Sequence, residues 1–394
     1  MKKKLTDSLL LRILVAIALG IVCSRFFPLW AVRIFVTFNG IFSNFLSMFI
    51  PLLILGLVAP GIAELGRGAG RLLLITFVIA YVSTVLAGAF SYFTCKFTYP
   101  FLLGNSARAL GQVDMSSPIA PYFTIEMPAF ISVTTALVLA FVLGLALAAM
   151  ESQALRSVVL DFRELVFLTV NKAIVPCLPV FIFGIFLKMG KEGNVAPVLG
   201  MFIKIIALIV LMQIVVLTLQ FCIAGAVSGK NPFRSLLTML PAYVTALGTQ
   251  SSAATIPVTL SCAKKAGVKE DVADFTVPLC ATIHMSGSML QITACAYAMC
   301  LSIGLPHNLG IFFGFIAMLA ITMVAAPGIP GGAIMAALGL LGSMLGFDAN
   351  VQGLMIALYV ALDSFGTACN VTSDGALTLI LTGYAEKHGI KEEE

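Results

Sequence analysis

The chain has 394 residues, of which 60% are hydrophobic and only 10% are charged, with a formal net charge of +5. Because soluble globular proteins carry roughly 25% charged residues, this composition excludes a soluble enzyme, a nucleic-acid-binding module and a disordered chain. The apolar runs are unbroken and exceed the ~20 residues that a helix needs to cross a bilayer, as in 201–227. The sequence therefore predicts an all-α, polytopic membrane protein.

Eight apolar segments are long enough to be transmembrane helices. The first follows the basic sequence MKKK and lacks the small-residue cleavage site of a signal peptide, so we interpret it as a retained span. Lysine and arginine favour the cytoplasmic side, and their distribution predicts that both termini lie there. The predicted spans are 8–27, 34–64, 72–103, 118–150, 160–189, 196–228, 271–304 and 350–384.

A further apolar segment, 235–262, has basic residues on both flanks. Lys230 and Arg234 precede it, and Lys264 and Lys265 follow it. Because both flanks favour the cytoplasm and the segment is too short to cross twice, we expect a hairpin that enters and leaves on that side. Its centre, TQSSAATIP, is rich in hydroxyl and helix-breaking residues. A single span that violates the charge rule is the alternative.

The apolar segment 309–345 is interrupted by APGIPGG at 326–332 and has no adjacent lysine or arginine, which favours a hairpin that enters from outside. Irregular backbone at membrane depth is tolerated only where it is buried in protein or lines a cavity. Two interrupted segments in corresponding halves of a chain indicate inverted repeats around a binding site near the bilayer midplane. The pattern predicts a secondary transporter.

The last predicted span carries a polar stripe, formed by Asp363, Thr367, Asn370 and Asp374. Residues spaced by three or four positions lie on one face of a helix. A carboxylate inside a bilayer is costly unless it is paired or faces water, so two of them on one face indicate a bound cation or a cationic substrate. The alternative is a pair of protonated carboxylates that hydrogen-bond to neighbouring helices.

Together with TQSSAATIPVT (249–259), PLCATIHMSGS (278–288) and GIPGGAIM (328–335), the stripe resembles the dicarboxylate/amino acid:cation symporter family, which has the glutamate-transporter fold. The pattern of the last span is most similar to that of bacterial serine/threonine:sodium symporters. The resemblance implies eight spans plus two re-entrant hairpins, and a homotrimer in the bacterial cytoplasmic membrane.

The resemblance also implies an elevator mechanism, in which a transport domain moves against a fixed scaffold. The scaffold would consist of 1–71, with spans one and two, and 104–192, with spans four and five. The transport domain would combine the remaining segments, namely 72–103 and 193–394, the latter with the inner hairpin at 233–262 and the outer hairpin at 309–345.

The resemblance assigns the substrate site residue by residue. Asp363 would pair with the substrate's ammonium, and Asn370 would hold its α-carboxylate. The backbone at Ser251 and Ser252 would donate to the same carboxylate, because exposed N–H groups at a helix start favour anions. The remaining expected contacts are Ser288, Gly366 and Thr367, with Ile329, Pro330 and Gly331 at the tip of the outer gate.

Sodium is the implied coupling ion, and no organic cofactor is expected. One sodium ion is expected at the Asp374 carboxylate and the backbone carbonyls of Cys280, His284 and Asn370, and a second between the carbonyls of Thr282 and of the outer hairpin near Val324 and Ala326. The seventh-span motif is His284-Met285-Ser286-Gly287-Ser288, where the family has Asn-Met-Asp-Gly-Thr. The missing aspartate removes charge from a third site, so we expect about two sodium ions per substrate.

His284 has two interpretations. It is either a neutral, hydrogen-bonding spacer or a group whose protonation competes with sodium.

Substrate class depends on two positions where acidic-substrate members place an arginine. Here they are Gly366 and Gln250, so no cation is expected to meet a side-chain carboxylate, and glycine is expected to leave open space. This favours a small neutral amino acid such as serine, threonine or alanine. An acidic amino acid or dicarboxylate, or an ion channel, is the alternative. An enzyme is not expected, because the sequence offers no nucleophile–base pair and no metal constellation.

Overall fold

A computed structural model describes residues 9–66, 71–104, 119–150, 152–193, 195–324, 326 and 330–388. Within these ranges the protein is helical and contains no strand. A π-helical turn, Val170–Ile174, joins α5 to α6. The helices are α1 (Leu9–Phe26), α2 (Leu29–Gly66), α3 (Arg71–Leu103), α4 (Val133–Ala149), α5 (Gln153–Thr169), α6 (Val175–Lys191), α7 (Val195–Ser228), α8 (Pro232–Thr238), α9 (Leu240–Thr249), α10 (Ser252–Lys265), α11 (Glu270–Ile283), α12 (Ser286–Ile303), α13 (Leu309–Val324), α14 (Gly332–Leu345) and α15 (Ala349–His388).

Among the described residues, six helical segments are long and apolar enough to cross a membrane, which confirms the predicted class of multi-pass membrane protein. Shorter apolar helices occur at Val138–Ala149, Leu309–Val324 and Gly332–Leu345. The six long segments are Leu29–Pro60, Leu74–Leu103, Gln153–Lys191, Val198–Ser228, Glu270–Ile303 and Asn350–Lys387.

The fourth predicted span, 118–150, is only partly helical, and its predicted extent was wrong. Helix α4 begins at Val133, after Ser132 caps it by accepting a hydrogen bond from the Thr135 amide. The preceding residues 119–132 are irregular. Pro121 and Pro128 lack an N–H and disfavour helical backbone before them, so a helix cannot run through this stretch.

The irregular stretch before α4 lies along α2. The Arg33 guanidinium donates to the Ala120 carbonyl at 3.0 Å and stacks on the Tyr122 ring, 4.2 Å from its centroid. The Asn44 amide donates to the Ile125 carbonyl at 2.7 Å. These side chains of α2 satisfy backbone carbonyls that a helix would have paired internally.

The segment predicted as an inner hairpin folds as α8, α9 and α10, and α9 packs against α10. The chain turns at Gln250, which has a left-handed φ of 54°, and at Ser251, which is extended. A Cβ built on Gly267 would lie 3.0 Å from Lys230 Cε, so the two ends of the segment lie side by side. The segment therefore turns back on itself, which a single straight span would not do.

The segment predicted as an outer hairpin also forms two helices, α13 and α14, which pack against each other. Helix α14 starts after Gly331, whose φ of 73° is a conformation that glycine adopts without steric strain. Residues 325 and 327–329, which lie between these helices in the sequence, are outside the described residues.

Helices α12 and α15 lie at the centre of the fold. Helix α15 packs against α7, α9, α10, α11 and α12. Within Glu270–Ile303 and Asn350–Lys387, 89% of the residues of the most apolar stretch are buried by other parts of the chain, against 33% for Leu74–Leu103. Polar side chains on α12 and α15 therefore face protein rather than lipid. Elsewhere, α2 packs against α4, α5 and α6, and α1 packs against α6.

The contact between α1 and α6 depends on Gly20. A Cβ at Gly20 would lie 2.8 Å from the Phe183 carbonyl oxygen, a backbone atom that cannot swing aside. We expect Gly20→Val to lower the free energy of unfolding by about 1–3 kcal/mol, because the added carbons would overpack this contact. The measurement is the thermal unfolding midpoint in detergent. The matched control is Gly200→Val, since a Cβ at Gly200 meets no atom within 4 Å. Equal midpoints for the two variants would contradict the close contact.

Candidate functional site

The polar stripe of α15 faces a break between α11 and α12. Helix α11 ends at Ile283, and His284 and Met285 are non-helical before α12 begins at Ser286. This break interrupts the predicted seventh span, 271–304, and was not predicted. A Cβ at Gly287 would lie 2.6 Å from the Gly366 carbonyl oxygen, so the start of α12 comes very close to the backbone of α15.

Asn370 connects the stripe to the first turn of α12. Its Oδ1 accepts hydrogen bonds from the amides of Gly287 and Ser288, at 2.8 and 3.2 Å. Its Nδ2 donates to Ser288 Oγ at 3.0 Å, and the Tyr359 hydroxyl donates to the same oxygen at 3.0 Å. The asparagine oxygen therefore satisfies N–H groups that a helix start leaves unpaired. One N–H of the Asn370 amide and the Ser288 hydroxyl proton are left to donate.

Asp363 meets the tip of the α13–α14 segment. The carboxylate is 3% exposed, and its Oδ2 accepts a hydrogen bond from the Gly331 amide at 2.7 Å. This amide is at the start of α14, where the helix dipole favours a negative charge. Pro330 lies in the same turn, and Ile329 lies outside the described residues.

The tip of the α9–α10 segment reaches the neighbouring residue of α15. The side-chain amide nitrogen of Gln250, Nε2, donates to Ser364 Oγ at 2.8 Å. Ser251 caps α10 by accepting from the Ala254 amide at 3.2 Å, and Ser252, the first residue of α10, is buried. The two turns, which are remote in sequence, therefore meet α15 at adjacent positions, Asp363 and Ser364. Thr367, one turn further along α15, is also buried.

The expectation of open space beside Gly366 was wrong. A Cβ on Gly366 would clash with Gln291 Oε1 and would lie 2.8 Å from Gln291 Cδ. Because Gly287 brings α12 close to α15, the side chain one turn further along α12 covers Gly366. Sequence spacing on α15 alone cannot reveal a side chain that a different helix places there.

His284 and Asp374 form a buried pair at the other end of the stripe. Both side chains are at most 1% exposed, and His284 Nδ1 lies 2.9 Å from Asp374 Oδ1. His284 Nε2 lies 3.1 Å from Ser83 Oγ, which accepts a hydrogen bond from Gln220 at 3.1 Å. A neutral imidazole with its proton on Nδ1 satisfies all of these contacts. The arrangement fits the spacer interpretation, and competition between protonation and sodium stays a prediction.

The second oxygen of Asp374, Oδ2, is buried and has no hydrogen-bond partner among the described residues. A buried carboxylate oxygen without a donor is costly unless a cation meets it. The site thus fits a hard cation such as sodium, which prefers oxygen ligands.

Most of the predicted carbonyl ligands lie at the end of α11 or of α13, two helices that contact each other. Cys280 and Thr282 are in the last turn of α11, where the Cys280 carbonyl accepts one hydrogen bond from the His284 amide at 2.9 Å and keeps its second lone pair for an ion. Val324, the last residue of α13, packs against the apolar cluster that contains Cys280 and Leu377. Ala326 follows it and is buried.

Four residues that take part in these contacts were missed from the sequence. Gln291 is spaced by one helical turn from Ser288, a signal that was available. Tyr359 is spaced by one turn from Asp363 on α15 itself, a second available signal, whereas nothing in the sequence indicated that Ser83 and Gln220 would lie near His284. The missed residues are Gln291, Tyr359, Ser83 and Gln220.

Ser83 is expected to hold the His284–Asp374 pair in place. Ser83→Ala would leave two nitrogens, one on His284 and one on Gln220, without this partner, at a cost of about 1–3 kcal/mol of stability. We expect a lower thermal unfolding midpoint in detergent. Thr218→Ala is the control, because the Thr218 hydroxyl donates to its own helix at Ile214. A Ser83→Ala midpoint as high as that of the control would show that the contact adds nothing.

Comparison with known proteins identifies the family. Residues 9–384 match the profile of the sodium:dicarboxylate symporter family. The chain is 28% identical to the serine/threonine transporters SstT of Acinetobacter baumannii strains AYE and AB0057, over 94% of this chain and 95% of each relative. The match of the family profile to nearly the whole chain shows that this protein belongs to the sodium:dicarboxylate symporter family.

Proposed function

We propose that the protein is a sodium-coupled symporter that takes up a small neutral amino acid, such as serine, threonine or alanine. The observation that carries the proposal is the meeting of two helix turns at Asp363 and Ser364 of α15. The buried carboxylate can pair with the ammonium of an amino acid. The helix start and the asparagine N–H can donate hydrogen bonds to its α-carboxylate. Membership of a sodium symporter family and the name of the relatives support the same function.

The substrate's ammonium takes the place of the Gly331 amide at Asp363. An ammonium carries a full charge, so its hydrogen bond to the carboxylate is stronger than that of a neutral N–H. The exchange releases Gly331 and the start of α14, which makes this turn the gate of the site. The α-carboxylate is held by the remaining N–H of Asn370 and by the start of α10 at Ser251 and Ser252.

Sodium binds at Asp374 Oδ2 and at the carbonyls named above, with about two ions per substrate. The charge of the ion offsets the desolvation of the buried carboxylate. Because Asp374 and Asn370 lie one turn apart on α15, an ion at Asp374 stabilises the part of the helix that holds the substrate. This link explains how sodium and substrate binding depend on each other.

In this proposal eight spans and two re-entrant hairpins form a scaffold and a transport domain. The hairpins are α8–α10 and α13–α14. The packing of α2 against α4, α5 and α6, and of α15 against α7, α9 to α12 and α14, supports this division. The protein works as a homotrimer in the bacterial cytoplasmic membrane, with both termini in the cytoplasm, and moves its substrate by an elevator motion.

An acidic substrate is the less supported alternative, because Gln291, not a cation, faces Gly366. An ion channel is a second alternative, and uptake that saturates with substrate separates a carrier from a channel.

The test of function is a thermal-shift screen of the purified protein against the twenty amino acids and common dicarboxylates, with and without sodium. A ligand at 100 times its Kd stabilises the folded state by about 2.7 kcal/mol. We expect a raised midpoint with small neutral amino acids, and only when sodium is present. Stabilisation by aspartate but not by serine would favour the acidic alternative.

Asp363→Asn tests the ammonium partner. The change keeps the shape but removes the charge, and loss of one partner of a desolvated pair costs on the order of 3–5 kcal/mol. We expect sodium-driven serine uptake into proteoliposomes to fall at least a hundredfold. Asp348→Asn is the matched control on the same helix, because Asp348 caps α15 through the Val351 amide and asparagine caps equally well. Uptake by Asp363→Asn at the level of Asp348→Asn would contradict the assignment.

A further inference from the structure

Gln291 is a buried polar residue that the site described so far does not use. It lies on α12, one turn after Ser288, and is 0% exposed. Its amide covers Gly366, which lies on α15 between Asp363 and Asn370. In the proposed function these two residues hold the ammonium and the carboxylate of the substrate. The amide of Gln291 is therefore next to the place where the substrate's α-carbon and side chain lie.

The orientation of this amide follows from its neighbour on α15. Gln291 Nε2 donates to the Leu362 carbonyl oxygen at 2.8 Å. A carbonyl oxygen only accepts, so the Gln291 oxygen cannot take the position of the nitrogen. Oε1 is therefore turned to Gly366, and it has no hydrogen-bond partner among the described residues.

The surrounding polar groups are already paired with one another. Asn370, Ser288 and Tyr359 hydrogen-bond to one another, and none of these bonds reaches Gln291 Oε1. Gln291 Oε1 is an acceptor beside this set that requires a donor, since a buried carbonyl without one is destabilising.

We infer that Gln291 determines side-chain specificity by accepting a hydrogen bond from a substrate hydroxyl. The inference rests on the proposed function and narrows it to hydroxyl-bearing amino acids, serine and threonine. Alanine would fill the site but leave Oε1 without a donor. Aspartate would bring a second acceptor against Oε1, which is repulsive. Gly366 acts indirectly, since any side chain there would displace the Gln291 amide.

The test compares binding of serine and alanine to the purified full-length protein in saturating sodium, by isothermal titration calorimetry. We expect the wild type to bind serine about tenfold more tightly than alanine, because a site built around a hydrogen bond rejects an analogue that lacks it. Gln291→Met keeps the length and apolar stem but removes the acceptor. We expect it to weaken serine binding about tenfold and to change alanine binding less than twofold.

Gln213→Met is the matched control, because Gln213 is also buried and both of its amide atoms lack hydrogen-bond partners among the described residues. It lies on α7, and its serine to alanine ratio should equal that of the wild type. An unchanged ratio in Gln291→Met overturns the inference. Equal serine and alanine affinities in the wild type also overturn it, and this result needs no variant to fold. A wild type that binds no neutral amino acid overturns the proposed function itself.

Discussion

The close approach of α12 to α15 at Gly287 and Gly366 is the constraint on which the site depends. With no side chain at either position, the first turn of α12 comes within hydrogen-bond distance of Asn370. The same contact places Gln291 over Gly366 and Ser288 beside Tyr359. A methyl group at Gly287 would meet the Gly366 carbonyl oxygen and Cys369 Cβ, both at 2.6 Å, and push the helices apart. Polar groups of α12 and α15 can pair because the two glycines have no side chains that would keep the helices apart.

Among the described residues, two helix starts that face α15 expose backbone amides, and side chains of α15 accept hydrogen bonds from them. Asn370 accepts a hydrogen bond from the Gly287 amide at the start of α12, and Asp363 accepts one from the Gly331 amide at the start of α14. Gln250 binds Ser364 at the turn before α10. Inside a membrane no water can replace these partners, so broken helices must converge on a polar surface. The stripe on α15 is that surface, since three helix breaks meet its polar side chains.

Much of the architecture followed from composition and periodicity. Long apolar runs predict membrane helices because a bilayer excludes unpaired backbone groups, and the interruptions at 249–257 and 326–332 marked the two turns. The stripe on α15 followed from helical spacing within one element. The predicted extent of the fourth span was wrong because apolar composition alone does not show where prolines interrupt a helix. The break at His284 was missed because its flanks are apolar and helical on both sides.

By itself, the sequence determined the class of protein, the family, the two turns and the four residues of the stripe, since these depend on local composition and on spacing within one helix. Only the tertiary structure decided which residues face that stripe. Ser83 of α3 contacts His284, Gln220 of α7 donates to Ser83, and Gln291 fills the space at Gly366 that spacing alone predicted to be open. The physical reason is that a periodic pattern specifies which face of a helix is polar, whereas the partner of that face depends on how closely other helices pack.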